Sequence, residues 1–389
     1  MNADPTLIGW SHGRFGKSDL PDVEALMAEV ASAAVADAGL DPADIDAISV
    51  GVYGTDATSQ RFHGALVGTG APELARIPAV RSENACASGS AALYAALDMV
   101  ESGRRRAVLV VGAEKMTRTP GADIAELLLG ASYLPTEQDH GSFPAIFGWL
   151  ASQYARRYGD PREALARIAA KNHRNGVDNP YAHMRRDLGY DFCATASDRN
   201  PVVAEPLLRT DCSMVSDGAA AVVVAAPDLA VGARRAVTVR SRVQADDVMP
   251  VADRPDPLHF DAAGRAFRTA LRDAGIALDD LDLLETHDCF TVAELLQYEA
   301  FGLAEPGKAA EVLAEGRTER NGALPVNVSG GLKAKGHPVG ATGVSQHVMA
   351  AMQLVGEAGA MQLPTAEHAA VFNMGGAAVA NYATILGVY

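Results

Sequence analysis

Three short apolar runs stand out along the chain: "IDAISVGVYG" (45–54), "RAVLVVGAE" (106–114) and "GAAAVVVAA" (218–226). Each is rich in β-branched residues and bounded by polar or turn residues, the pattern of strands covered on both faces. Between the first two lies "CASGSAALYAALDMVESG" (86–103), with a helix's length and a Gly103 stop. From Ala91 to Val100 it is apolar nearly all round, so the pattern predicts a helix buried on every side. Its many alanines allow neighbouring layers to approach closely. Strands alternating with such a helix predict an α/β architecture with an interior helix layer.

The pattern also repeats. "DAGLDPADIDAISV" (37–50) recurs as "DAGIALDDLDLLET" (273–286), "CASGSAAL" (86–93) aligns with "HPVGATGV" (337–344), and "DGAAAVVVA" (217–225) is echoed by "GGAAVANYA" (375–383). Three matches in the same order point to a duplicated α/β unit. The first copy is longer. Its excess, rich in Arg, His, Asn, Tyr and Pro, reads as a mostly helical and looped insertion. The expected division is a first half at 1–116 and 210–235, an inserted domain at 117–209, and a second half at 236–389.

Composition narrows the function without naming it. At 389 residues and 48% hydrophobic, the chain is long enough for a large fused core. A net charge of −15 argues against nucleic-acid binding but leaves room for a local basic patch. No run approaches the about 20 apolar residues of a membrane helix, and the start lacks a secretory pattern. Four scattered cysteines without metal spacing suit a reducing compartment, so a cytoplasmic protein with no metal is expected.

Duplication brings corresponding positions to one pseudo-twofold axis, so the two helix starts should meet. One carries Cys86 and the other His337. Cys86 alone reads as a small buried filler. Opposite His337, at a helix N-terminus whose dipole lowers a thiol's pKa, it reads as a nucleophile. The glycine-rich stretch around His337, "SGGLKAKGHPVGATG" (329–343), has neither common phosphate-loop spacing. "ETHDCFTVAELL" (285–296) sets His287, Asp288 and Cys289 at a strand's C-terminal end, where α/β sites form. His287 and Cys289 are candidates there for an oxyanion donor and a proton shuttle, or else for a surface group and a packed thiol. "FNMGGAA" (372–378) offers glycine backbone to a substrate, or only a bulge.

The order "SENACASGS", "HDCF", "GHPVGATG" and "NMGG" resembles the thiolase superfamily, closest to the sterol-carrier-protein-2 type, over essentially the whole chain. The resemblance implies a duplicated five-layered αβαβα fold with an inserted loop domain that covers coenzyme A. It implies Cys86 as acyl-accepting nucleophile, with His337 activating it. His337 and His287 would form an oxyanion hole for the enolate, and Cys289 would act as acid and base. The backbone N–H groups of Cys86 and Gly375 would make a second oxyanion hole. The activity implied is thiolysis of a 3-oxoacyl-CoA, or the reverse Claisen condensation. Coenzyme A and acyl-CoA would be substrates rather than a bound cofactor, and a homodimer or tetramer is expected. Lys171, Arg174, Arg185 and Arg186 are the candidate contacts for coenzyme A's phosphates. Many thiolases carry Cys-x-Gly where this chain has Asn373-Met374-Gly375, which leaves Cys289 as the only candidate for proton transfer. A decarboxylating ketoacyl synthase or a hydroxymethylglutaryl-CoA-type synthase shares the fold, but HDCF together with GHP argues against both. A silent acyl-CoA-binding subunit is a further alternative, against which the joint presence of Cys86, His287, Cys289 and His337 argues; an aldolase-type relative would not need Cys86. No lipid-carrier domain is expected after "TILGVY", and no peroxisomal Ser-Lys-Leu tail is present.

Overall fold

The computed structural model describes residues 4–55 and 60–389. The first half supplies β1 (Thr6–His12), β2 (Ala47–Gly51), β3 (Ala79–Ser82) and β4 (Ala107–Glu114). A small hairpin, β5 (Val202–Ala204) and β6 (Leu207–Leu208), precedes β7 (Gly218–Ala225). The second half supplies β8 (Val237–Asp246), β9 (Leu283–Glu285), β10 (His368–Gly375) and β11 (Ala380–Val388). The main strands run in the order β3-β2-β4-β7-β1-β8-β11-β10-β9. Within each half the sequence of pairings is the same: β1 and β8 are inner edges, β7 and β11 follow, then β4 and β10, then β2 and β9. The counterpart of β3 shrinks to one bridge, between Leu284 and Val326. The two half-sheets pair across the seam at Thr6 opposite Thr238 and Leu7 opposite Val237.

The repeat seen in the sequence is therefore a repeat of structure. In "DAGLDPADIDAISV" a 3-10 turn at Pro42–Asp44 leads into β2; in "DAGIALDDLDLLET" a turn at Leu278–Asp280 leads into β9. The runs read as buried strands become β2, β4 and β7, and all eight residues of β4 and of β7 are buried. Val, Leu and Ala suit them because helices cover both faces, and each large aliphatic side chain buried this way contributes roughly 1.5–3 kcal/mol.

The layers follow from what each helix covers. Helix Val23–Asp37 lies on the outer face of β1, β4 and β7, and helix Asp261–Ala274 on the outer face of β8 and β11. Helices Ser88–Glu101 and Thr342–Leu354 lie between the half-sheets, against each other. This is the five-layered αβαβα order. Small residues make the central layer possible: a Cβ on Gly89 would fall 2.7 Å from the Gly340 carbonyl, and one on Gly343 would fall 2.4 Å from the Ser90 nitrogen. Helix Ser88–Glu101 is buried along most of its length, with Ala91, Ala95 and Met99 half-buried and Asp98 and Glu101 exposed at its end.

Between β4 and β7 the chain forms mainly helices, of which Phe143–Tyr158 and Arg162–Gly176 are the longest, plus the β5–β6 hairpin. Helix Arg162–Gly176 packs on helices Gly331–Lys335 and Thr291–Phe301, behind the second half's loops. No helix among the described residues is long and apolar enough to cross a membrane.

Candidate active site

Cys86 sits on a sharp turn between β3 and helix Ser88–Glu101. The turn is closed by the Ala87 N–H donating to the Asn84 carbonyl (3.0 Å) and by the Ser88 hydroxyl donating to the Ala85 carbonyl (2.6 Å). Ala85 takes a left-handed conformation (φ 48°), a strained choice for a residue with a Cβ. It presents Cys86 to the meeting point of the two interior helices, where the thiol is 4% exposed.

His337 arrives from the other copy. Its backbone N–H donates to the Met214 carbonyl (3.3 Å), and its Nδ1 lies 2.7 Å from Thr342 Oγ1, which in turn donates to the Pro338 carbonyl (3.0 Å). His287 follows β9. Its Nδ1 lies 2.8 Å from Asn373 Nδ2, and Nε2 is buried without a hydrogen-bond partner. The two imidazole rings stand edge to face at 5.2 Å between centroids. Cys86 Sγ and one ring nitrogen from each histidine all lie within 4.8 Å of one another. Cys289 opens onto the same cavity of about 120 Å³, lined also by Met116, Phe143, Phe290 and Val339. Three such donors could hold a zinc ion, but a metal there would consume the thiol and the imidazole together.

The electrostatics differ from the sequence expectation at one point. The dipole was expected to lower the Cys86 pKa, but burial and the nearby Glu114 carboxylate push it up to about 12. The backbone N–H groups of Gly376 and Cys86 act in the opposite direction without winning. Burial likewise holds His337 down to about 3, with Lys335 adding to the effect, and keeps His287 well below the usual range. Burial also raises Cys289 well above an ordinary thiol. Burial thus favours the uncharged form of both thiols and both imidazoles.

Other expectations also shift. Gly376, at φ 61°, follows Gly375 in the turn beside Cys86, and its backbone N–H favours the thiolate. Gly375 lies in β10 opposite Ala380, and its lack of a side chain lets the strand pass against the Asn84 carbonyl, 2.3 Å from where a Cβ would be. Lys171 cannot meet a phosphate. It is 1% exposed, pairs with Glu294 at 2.7 Å, and donates to the Tyr298 hydroxyl and the Val326 carbonyl. Arg174 is exposed but paired with Glu319. Arg185 and Arg186 are exposed, and Arg185 Nε donates to the Val177 carbonyl (3.1 Å).

Sequence reasoning gave no role to the groups that hold the loops. Asp288 accepts from the Leu332 and Lys333 N–H groups (2.6 and 3.1 Å) and from Asn172 Nδ2 (2.8 Å), tying the His287 loop to the His337 loop. Glu114 accepts from the N–H groups of Tyr53, Gly54, Thr55 and Gly340. Asn373 donates to both the Cys86 carbonyl and His287. Adjacency in "HDC" was the one available signal for Asp288; the others are polar residues inside strands that nothing local distinguishes.

The comparisons agree with this geometry. The family model for the thiolase N-terminal domain matches residues 3–228, and that for the thiolase C-terminal domain matches 244–388. The chain belongs to the thiolase family. An acetyl-CoA acetyltransferase of Methanothermobacter thermautotrophicus is 36% identical over 96% of both chains. Human sterol carrier protein 2 is 32% identical over 93% of this thiolase and 67% of its own length. Among solved structures, the Ltp2–ChsH2(DUF35) aldolase superposes with a TM-score of 0.82 at 22% identity, covering 99% of this chain and 98% of that one. Human mitochondrial 3-ketoacyl-CoA thiolase in complex with CoA gives 0.74 at 18%, covering 100% and 98%. At those identities the two structures speak to fold alone. This thiolase is an acyltransferase, and the aldolase-type and silent-subunit readings are not favoured.

Proposed function

We propose that this thiolase transfers acyl groups by a ping-pong reaction through a Cys86 thioester, with coenzyme A and acyl-CoA as its substrates. The observation that supports it most is the convergence of Cys86 Sγ with a nitrogen of each histidine within 4.8 Å. In the cleavage direction, His337 takes the Cys86 proton as sulfur attacks the 3-oxo carbon. The developing oxyanion is met by the Cys86 and Gly375 N–H groups. The C2–C3 bond breaks, and the enolate of acetyl-CoA rests against His287 and the now protonated His337. Cys289 donates its proton to C2, and acetyl-CoA leaves. Coenzyme A then enters and gives its thiol proton to Cys289. It attacks the acyl-enzyme, and Cys86 recovers its proton from His337. Cys289 held as a neutral thiol suits its first duty as an acid. Condensation is the same path reversed.

The cavity beside Cys86 is walled by Phe143 and Phe290, and these two rings are the candidates for limiting acyl-chain length. Arg185 and Arg186 remain the candidates for coenzyme A's phosphates. The free edge of β3, with Ala79 and Val80 exposed beside Phe62, supports a homodimer formed by edge pairing. Four free cysteines support a cytoplasmic setting, and acetyl-unit chemistry a place in lipid metabolism.

Acid-quenching after incubation with acetyl-CoA or acetoacetyl-CoA, followed by peptide mass mapping, tests the mechanism. An acyl group on Cys86 is expected; turnover without one would refute the acyl-enzyme. Cys289→Ala should still acylate Cys86 but lose condensation.

A further inference from the structure

The two active-site histidines are neutral rings in a buried pocket, so each carries one proton, and its position on the ring decides what the ring can do. Hydrogen bonds to groups of fixed character determine that position.

For His287 the deciding group lies two steps away. A backbone carbonyl can only accept, so the end of Asn373 that lies 3.3 Å from the Cys86 carbonyl is its NH₂. The other end, Oδ1, accepts from the Ser90 hydroxyl at 2.8 Å, which agrees with that orientation. The same NH₂ lies 2.8 Å from His287 Nδ1. A donor there requires Nδ1 to be the lone-pair nitrogen, so the proton sits on Nε2. That Nε2 is buried and has no partner, and its ring faces Cys86 and His337. For His337 the logic runs the other way. The Thr342 hydroxyl spends its only proton on the Pro338 carbonyl, so it accepts from His337 Nδ1–H and leaves Nε2 bare.

We propose that Asn373 is a positioning residue that fixes His287 as the Nε2–H tautomer, while Thr342 fixes His337 as the opposite one, so that one ring donates and the other accepts. His337 can take the Cys86 proton because its Nε2 is empty. His287 can hold an enolate oxygen at once because its Nε2–H is already in place. The departure from Cys-x-Gly in the last loop thus has a use: an amide at position 373 supplies what a thiol could not, a strong donor to Nδ1 and to the Cys86 carbonyl together. Asn373 touches no reacting atom; it acts through His287 and through the nucleophile's own peptide. This deepens the acyl-transfer reading of the same site and rests on it for its kinetic consequence alone.

The test is Asn373→Asp. A carboxylate accepts from Nδ1–H, so neutral His287 would carry its proton on the wrong nitrogen and lose its donor toward the enolate. Protonation of the ring restores that donor, and the groups facing His287 that share its titration are His337 and Cys86. Condensation by N373D should fall by about a hundred- to a thousandfold at alkaline pH, as for loss of one oxyanion donor, and recover in part as pH falls. A loss of equal size at every pH is what a purely structural role gives, and it would overturn the proposal. Nitrogen-15 spectra of the histidine side chains give a second readout on the resting wild-type enzyme. They should show His287 protonated at Nε2 and His337 at Nδ1, with His287 moving to Nδ1–H in N373D. A wild-type His287 protonated at Nδ1 would refute the assignment whatever the kinetics show. Failure of the acyl-enzyme reading is separate, since it is read from the absence of an acyl group on wild-type Cys86.

Discussion

Replacing Lys171 by methionine separates two readings of one residue: a phosphate contact, as its basic segment suggests, or a structural cation, as its burial shows. The side chain is 1% exposed and donates to Glu294 at 2.7 Å, the Tyr298 hydroxyl at 3.0 Å and the Val326 carbonyl at 3.1 Å. Methionine keeps the volume and removes the charge, leaving the Glu294 carboxylate buried with only neutral donors, the Tyr298 hydroxyl and the Asn172 and Asn327 amides. Breaking one partner out of a buried pair costs about 3–5 kcal/mol. Unfolding entropy of about 2.1 cal/mol/K per residue gives about 0.8 kcal/mol/K for a chain of this length, so the melting temperature should drop by about 4–6 °C. The damage should also reach the site, because Asn172 bridges Glu294 to Asp288, which ties down both histidine loops. Differential scanning fluorimetry, with KM for acetyl-CoA measured well below the transition, reads both effects. A melting temperature within 1 °C of wild type together with a raised KM would refute the reasoning and return Lys171 to the cofactor's phosphates.

Phe143→Ala should enlarge the acyl cavity at a stability cost of about 3–5 kcal/mol. It should raise kcat/KM for a six-carbon 3-oxoacyl-CoA relative to acetoacetyl-CoA by roughly fifteenfold, for two methylenes at about 0.8 kcal/mol each; an unchanged ratio places the chain elsewhere. Asp288 is pushed up to about 7 by burial and the neighbouring Glu294, against about 3.9 when unfolded. The folded state therefore binds the extra proton between about pH 4 and 7, and this group's contribution to stability falls as pH rises through that window. Asp288→Asn should remove that fall, and urea midpoints of the two proteins running parallel from pH 4 to 7 would contradict it. Val80→Lys places a charge on the exposed β3 edge and should shift sedimentation toward monomer; an unaltered assembly would move the interface away from β3.

The elements that could be read from sequence share a physical trait: their signal is local. β4 and β7 are continuous apolar runs, and helix Ser88–Glu101 has its length and its Gly103 stop, so period and composition reveal them. The duplication turned local matches into a spatial expectation, and it brought Cys86 and His337 together across the chain. What stayed hidden depends on burial, which no window of residues reports. Lys171 looks like its neighbour Arg174, yet helix Arg162–Gly176 turns Lys171 inward and Arg174 outward. The Cys86 thiol was read from the helix dipole, a favourable but modest influence, whereas desolvation at the meeting of two copies dominates. Asn373 registered only as a missing cysteine, because its partners, Ser90, Cys86 and His287, come from both copies.

The seam between the copies carries a consequence for how such a chain could be taken apart. Among the described residues the half-sheets are stitched by a short pairing, Thr6 with Thr238 and Leu7 with Val237, and by the Val239 N–H on the Pro5 carbonyl, while the segments on either side of that seam touch backbone to backbone at Gly89, Gly340 and Gly343. The Cys86 thiol belongs to one half, and both imidazoles and the Cys289 thiol belong to the other. On the proposed mechanism neither half holds the full set, so a chain cut in the linker between β7 and β8 should be inert as separate fragments and regain activity only on reassembly.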